Sequence, residues 1–414
     1  MLLRAIAIVW LAVLHGQTPI AASQSTGGAP PRNLGSAPSD NVLPAQLKAS
    51  IQQLGSFDFP IRMQAARTVR RADPAVAVPA LIDTVSDTRA DWYVRFRALV
   101  LLSGFNHPRT RDVMLTMLQE KNDRLRGVAY AWFEHHRDPA LLRRLLAAEA
   151  REESEFVRPA LTRALAAHAS DPSTAKAAGS PADLQKTMIR LVMSGQDIFR
   201  AAVIEVLGEY RAAYALDSIM AVAKLDGPLQ DDATLAIGRI GGKRGHALLA
   251  DLQRTASRAL QPTLAASICL TGSNCASHQN YLLETLNFAS RNPGYQELVR
   301  AAARGLAALA ISGHQDAAAT LFDVGIPSRD PERAAIALAL GNLALRNSAL
   351  LLQALESRSD LKDATELLRD AFDMLDEDLE EERFFAAVRR AYWAAPPQSA
   401  TRAAAETLIQ RLEF

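Results

Sequence analysis

Few residues in this sequence could do chemistry, and they do not form a complete catalytic motif. The segment Gly238–Gly245 contains four glycines and three basic residues, and it resembles a phosphate-binding loop. However, no strand pattern precedes it, and it lacks the Lys-Ser or Lys-Thr pair that would reach phosphate and magnesium. We interpret it as a turn between two helices, in which glycine allows positive φ angles.

Two further clusters invite comparison with metal sites. Glu134 precedes His135 and His136, but no Glu-x-x-His spacing places two ligands on one helical face. We expect a helix end near Asp138, where the helix dipole favours histidine. The acidic run from Asp370 to Glu382 lacks the glycine and the alternation of a calcium loop, so we predict a solvated helix face; the alternative is an acidic patch for a basic partner. The sequence therefore predicts no metal and no cofactor.

Cys269 and Cys275 are the two cysteines of the chain, too few for a four-cysteine zinc site. In a reducing compartment they would be small buried hydrophobic residues. In an oxidising compartment a pair this close in sequence can form a bridge, so we predict a local disulfide that fixes one loop.

The N-terminus predicts export. One basic residue precedes an apolar run of ten, Ala5–Leu14, and small residues end at Ser23, which is the pattern of a Sec-type signal peptide over residues 1–23. The alternative is a membrane anchor, but the run is shorter than the ~20 residues that span a bilayer. Residues 24–43 are rich in glycine, serine, proline and alanine and predict a disordered tether. We expect a periplasmic or secreted protein with no membrane span after cleavage.

The 414 residues are 49% hydrophobic, with a mean hydropathy of −0.02, which excludes a protein with many membrane spans. The net charge of +1 argues against nucleic acid as the main partner. Aromatic residues make up 6%, and apolar residues recur at helical spacing from Pro44 onward. This composition predicts an all-α protein.

A short pattern repeats along the chain: a basic or amide residue, a small or apolar residue three positions later, and a large aliphatic residue seven positions later. Most copies are 30 to 33 residues apart, which is enough for two helices of about a dozen residues and two turns. The pattern starts at Arg62, Arg95, Arg126, Arg158, Arg200, Gln230, Gln261, Arg300, Arg333, Arg369 and Arg402.

These stretches resemble the HEAT repeats, in particular the bacterial phycobilisome-lyase-like version. The likeness is carried by Pro79–Asp87 with Val94–Gly104, by Phe199–Gly208 and by Ala236–Leu252. The resemblance implies an α-solenoid of about eleven stacked helical hairpins, with repeats over residues 44–168 and 183–414 and an inserted loop at 169–182. Tetratricopeptide repeats are the competing solenoid, but their regular Trp-Leu-Gly-Tyr scheme is missing. We expect one unbroken apolar core.

An acidic residue stands three or four positions before most of the arginines that begin the pattern. There it can accept hydrogen bonds from the first turn of the second helix, and the arginine can pair with it or with an acid of the adjacent repeat. We interpret these pairs as a ladder between repeats and not as catalytic dyads. The acids are Asp91, Asp123, Glu155, Asp197, Glu297 and Asp330.

The second helices of such an array line a concave surface suited to a protein or peptide. We predict an exported scaffold that binds a partner in the cell envelope and that is not an enzyme. Positions one, two and five after each arginine are expected to face the groove. The predicted partner-binding residues are Trp92, Arg97, Trp132, Arg163, Glu205 and Arg239, and the alternative for both tryptophans is core packing. Alternative functions are a lyase resembling the bilin-attachment HEAT proteins and a self-associating structural component.

Overall fold

A computed structural model describes residues 42–171, 181–273, 275–375 and 378–414, all within one compact unit. The predicted signal peptide, nearly all of the predicted tether and most of the inserted loop lie outside the described residues. Within these ranges the chain forms twenty-two α-helices and no strand. None of the described helices alone has the length and hydropathy to cross a membrane, and one pair, Glu332–Arg346 with Ser348–Glu356, reaches them only together across a 117° bend.

The helices are consecutive hairpins. In chain order they are α1 Pro44–Gln53, α2 Phe59–Arg71, α3 Pro74–Ser86, α4 Trp92–Gly104, α5 Thr110–Met117, α6 Asp123–His135, α7 Leu142–Glu149, α8 Arg158–Ala169, α9 Pro181–Met193, α10 Asp197–Glu209, α11 Leu216–Ala223, α12 Gln230–Ile240, α13 Gly242–Thr255, α14 Gln261–Leu270, α15 Cys275–Arg291, α16 Gln296–Ile311, α17 Gln315–Gly325, α18 Glu332–Arg346, α19 Ser348–Glu356, α20 Leu361–Phe372, α21 Leu379–Ala394 and α22 Ala400–Arg411. The eleven residues that begin the sequence pattern fall one on the second helix of each pair, so the predicted α-solenoid of eleven hairpins is confirmed.

Local sequence explains where many helices begin and end. Asp91 accepts hydrogen bonds from the backbone N–H groups of Tyr93 and Val94 and so caps the start of α4. Between α12 and α13, Gly241 and Gly242 adopt φ angles of +75° and +85°, which glycine tolerates best. The predicted turn between hairpins is therefore confirmed at Gly241 and Gly242, whereas Gly238 lies within α12 and Gly245 within α13.

Successive second helices pack closely because small residues lie where they meet. A Cβ atom added to Gly208 would lie 2.8 Å from the Cα of Ala236, and one added to Gly238 would lie 2.6 Å from the Cα of Ser267. These contacts explain why a glycine often follows the aliphatic residue at the seventh position of the pattern.

The core is not one unbroken cluster, contrary to expectation. Buried apolar residues form one cluster from Leu47 to Ile268, joined by Leu379, and a second from Leu235 to Phe414. The clusters overlap in sequence at α12 and α14, whose side chains are divided between them. The division arises where these helices present different faces to earlier and later hairpins.

The two ends of the array meet. Helix α21, the first helix of the last hairpin, packs against α4 and α6 of the second and third hairpins and also against α18. Helix α21 therefore covers part of the surface of α4 and α6, close to the opposite end of the array.

Candidate functional site

A buried ion cluster joins the two ends of the array. It consists of Glu382 with Arg70 and Arg389, and we call it the junction ion pair. Arg70 of α2 donates through Nε to Oε2 of Glu382 at 2.8 Å, and Arg389 donates to the other oxygen at 3.2 Å. The Glu382 side chain is 0% exposed. Gly104 of α4 makes room for it, because an added Cβ atom would overlap the carboxylate. Removing one member would leave buried charge without its partner, so these residues hold the closure.

Beside this ion pair lies an aromatic groove of about 770 Å³, which we call the junction groove. One wall comes from α2 and α4 and the other from α20, α21 and the chain after α22. Phe59 is 48% exposed and Trp92 is 47% exposed. The apolar and aromatic lining residues are Phe59, Pro60, Met63, Trp92, Tyr93, Phe96, Phe372, Leu375, Phe385 and Leu412. The charged lining residues are Arg62, Arg124, Arg369, Arg411, Asp373, Glu381 and Glu413.

A second cavity, of about 470 Å³, lies among the ends of the inner helices, and we call it the central cavity. Arg163 donates to both oxygens of Glu134, at 2.9 and 2.8 Å, and to Glu209 at 2.5 Å. Tyr210 donates its hydroxyl to Glu134 at 3.0 Å. Burial opposes the charge of Arg163, but Glu209 and Glu134 outweigh it and raise the pKa of the guanidinium.

Elsewhere in the central cavity, charged side chains of α6 and α21 contact one another. His135 Nε2 lies 2.8 Å from Glu380 Oε1, and Arg383 donates to the other Glu380 oxygen at 2.6 Å. Burial raises the pKa of Glu380, but the hydrogen bond with His135 and the charges of His135 and Arg383 outweigh this effect and lower it to about 2. Glu380 therefore stays ionised through ordinary pH.

Glu134, His135 and Glu380 offer three potential ligand atoms within 4.8 Å of one another. This set does not fit a metal ion, because Arg163 occupies both oxygens of Glu134 and an Arg383 nitrogen lies 2.7 Å from His135 Nε2. A cation placed there would face two guanidinium groups at close range. The chemistry of the residues thus favours an ionic network.

The predicted ladder forms in several hairpins. Arg95 pairs with Glu120 of the next hairpin at 2.6 Å, and Arg126 pairs with Glu152 at 2.8 Å. Arg333 reaches Asp370 at 2.6 Å. Arg200 instead pairs with Asp197, three positions before it, at 3.0 Å. Some of these arginines thus pair with an acid of another hairpin, and Arg200 pairs with the acid that precedes it, which are the two arrangements that the sequence predicts.

The structure separates the predicted partner-binding residues. Trp92 lines the junction groove, whereas Arg163 and Arg239 line the central cavity. Glu205 is half-buried. Arg97 is 1% exposed and Trp132 is 7% exposed, with the Trp132 ring stacked on His136 at 3.7 Å between centroids.

Arg97 and Trp132 therefore present no accessible surface to a partner in this conformation. The rule that positions two and five after each arginine face a groove fails at Arg97 and at Val100, which is 1% exposed. Helix α21 packs against α4, so part of the surface of α4 is covered in the closed array.

The most important residues missed by sequence reasoning lie in the acidic run. Glu381 and Glu382 are 5% and 1% exposed, so the predicted solvated face is wrong at these positions. One sequence signal for this burial exists, since Phe384 and Phe385 stand two and three positions after Glu382 in the same helix. No sequence pattern identifies Arg70 and Arg389 as the partners of Glu382.

Cys269 and Cys275 lie side by side at the end of α14 and the start of α15, with Cα atoms 4.2 Å apart. Their thiols are close enough to bridge. His314 approaches Cys275, with Nδ1 3.9 Å from Sγ. The oxidised state of the pair in the cell stays a prediction.

The stacked hairpins define an α-solenoid. Residues 47–134 match the sequence model of the HEAT repeats, so the predicted resemblance to HEAT repeats is confirmed, whereas the likeness to the phycobilisome-lyase-like version stays a prediction. Among curated proteins, no sequence matches the chain.

Distant likenesses occur among solved structures. A chain from a structure of Kap95p binding to RanGDP is 12% identical, with a TM-score of 0.41 over 89% of this chain and 61% of that chain. A chain from a structure concerning cadherin and β-catenin is 11% identical, with a TM-score of 0.33 over 90% and 95%. Human deoxyhypusine hydroxylase in complex with glycerol is 15% identical, with a TM-score of 0.24 over 55% and 96%. At this distance these structures carry no argument about function.

Proposed function

We propose that this protein is an exported HEAT-repeat scaffold that binds a segment of a protein partner in the cell envelope, with the junction groove as the binding surface. The observation that carries the proposal is the pair of large aromatic side chains, Phe59 and Trp92, left about half exposed in one groove. Binding hot spots are enriched in tryptophan, tyrosine and arginine, and this groove contains all three. Export rests on the N-terminal sequence pattern.

The partner that suits this groove is a peptide segment with bulky apolar side chains. The lining presents aromatic rings on both walls, and Arg62 stacks over Phe59 and Tyr93, with its Cζ atom 5.4 and 5.9 Å from the ring centroids. Such a lining gains most from burying apolar surface, while the arginines at its edge orient polar groups of the ligand.

The test is capture of partners from envelope extracts by the immobilised chain lacking residues 1–23. Trp92→Ala is compared with Trp393→Ala, because Trp393 is 38% exposed and does not line the groove. We expect Trp92→Ala to weaken retention of specific partners about tenfold or more, as loss of a hot-spot side chain does. The Trp393 variant should retain them as the unchanged chain does.

Equal retention by both variants, or no specifically retained protein, would contradict the proposal. Light scattering over a range of concentrations separates it from self-association. If the molar mass measured by light scattering increases with protein concentration, and Trp92→Ala abolishes this increase, the occupant of the groove is a second copy of the chain instead.

A further inference from the structure

The central cavity contains more guanidinium groups than carboxylates. Its arginines are Arg163, Arg211, Arg239, Arg346 and Arg383, whereas Glu134 and Glu209 are its acids. Adding Glu380, which contacts Arg383, still leaves three carboxylates for five arginines. These side chains come from six helices and one turn, so the excess of positive charge arises from the fold and not from one charged segment.

The carboxylates are already committed. Glu134 accepts three hydrogen bonds, from Arg163 and Tyr210. Glu209 accepts from Arg163 at 2.5 Å and lies 3.5 Å from Arg346 Nε. Burial opposes ionisation of Glu209, but the charges of Arg163, Arg346 and Arg239 together lower its pKa. The single Glu209 carboxylate thus partly neutralises the charges of three arginines.

Arg239 is the cation least compensated by this network. It lies in the last turn of α12 and is half-buried, yet none of its nitrogens makes a hydrogen bond or a close ion pair with the described residues. Burial lowers its pKa, against the raising effect of Glu209 and Glu205, and the charges of Arg304 and Arg346 lower it further. A guanidinium carries five N–H donors, so Arg239 retains donors for a ligand.

We propose that the central cavity is a binding site for a small oxyanion, a compound with carboxylate or phosphate groups, held by Arg239 and Arg346 with Arg383 beside them. Planar guanidinium groups bind such anions through paired hydrogen bonds, and the partly enclosed position limits competition from water. The cavity of about 470 Å³ admits a small molecule. The site is separate from the junction groove and does not depend on partner binding there.

The experiment is calorimetric titration of the full folded chain with inorganic phosphate and with citrate, at constant ionic strength, with chloride as the control anion. The variants are Arg239→Gln and Arg346→Gln. Arg244→Gln is the matched control, because it removes the same charge from an exposed pair with Asp217, in which the side chains are 68% and 71% exposed. The two probes distinguish a phosphate ligand from a carboxylate ligand.

We expect at least one probe to bind and Arg239→Gln to weaken it about tenfold or more, with the Arg244 variant unchanged. We also expect Arg239→Gln to unfold at a higher temperature than the unchanged chain when no anion is added. A poorly compensated charge that serves a ligand costs stability without it, whereas an arginine with a purely structural role would lower the melting temperature when replaced.

Three results would overturn the proposal. The first is no binding of either probe above the chloride control at millimolar concentration. The second is equal weakening by the Arg239 and Arg244 variants, which would mean general charge attraction. The third is stabilisation by zinc or manganese ions, with loss of that effect in Glu380→Gln, because the cavity would then be a cation site.

Discussion

At the residue scale, the closure of the array relies on carboxylates that are buried inside the protein. Glu380 and Glu382 are neighbours on α21, and each is held by basic residues from a different part of the chain: His135 and Arg70. Taking a carboxylate out of water is costly unless such partners replace the lost hydration. The contacts of α21 are therefore sensitive both to substitution and to acid.

Glu380 predicts an acid-dependent loss of stability. Its pKa is about 2 in the folded chain against an ordinary 4.5, so its contribution is fully present above pH 4.5 and disappears as the pH falls toward 2. The shift corresponds to roughly 3 kcal/mol of unfolding free energy. Urea unfolding from pH 6 to pH 2 should show this extra loss in the unchanged chain and not in Glu380→Gln. The same pH dependence in both would contradict the assignment.

At the element scale, the spacing between second helices is set by the smallest side chains. The distance of 2.6 Å between an added Cβ at Gly238 and the backbone of Ser267 leaves no room for even a methyl group. The neighbour is a backbone atom, which cannot move aside as a flexible side chain can. Glycine is therefore required at this position for packing, although it lies inside a helix where it is otherwise unfavourable.

We predict that Gly238→Ala lowers the free energy of unfolding by about 1–3 kcal/mol, because α12 and α14 must move apart. Gly127→Ala is the matched control, since nothing lies within 4 Å of a Cβ added there, inside α6. Alanine should stabilise that helix by about 0.5–1 kcal/mol. Chemical denaturation followed by circular dichroism measures both. Destabilisation by both substitutions to the same extent would exclude the packing explanation.

The sequence predicted the helices well because their signals are local. The apolar spacing and the glycines near Gly241 each act within one or two turns of helix, so the hairpins could be predicted from residue spacing. The prediction that an acid caps each second helix is confirmed at Asp91 but is wrong at Asp123, Glu155, Asp197, Glu297 and Asp330, because other residues occupy the cap positions. The junction groove could not be predicted. The sequence predicts Trp92 as a partner-binding residue, with core packing as the alternative, but the opposite wall, with Phe372 and Phe385, comes from the other end of the array.

At the scale of the whole molecule, the ion pair between Arg70 and Glu382 joins residues 312 positions apart. In an open array each repeat contacts only its neighbours, so a substitution at one end does not directly affect the stability of the other end. The closure brings the two ends into contact and makes such an effect possible. No periodic pattern in the sequence encodes such a contact, so the closure could not be predicted.

We predict that Glu382→Gln increases hydrogen exchange in α4 as well as in α21, by a factor of ten or more. Removing the charge of one partner leaves two buried arginines under-compensated and costs about 3–5 kcal/mol in comparable buried pairs. Asp251→Asn is the control, because its pair with Arg254 is largely exposed, with side chains 66% and 72% accessible, and should contribute little. Exchange changes confined to α21 and its sequence neighbours would contradict closure.

The late position of α21 also has a consequence for how the chain acquires its fold. Helix α21 packs against α4 across nearly the whole array, so this contact cannot form until nearly all of the described polypeptide is available. Contacts of such long sequence separation form slowly, and uncovered apolar surface promotes aggregation in the meantime. Hairpins two and three, though among the first to be synthesised, are therefore among the last to reach their final surroundings.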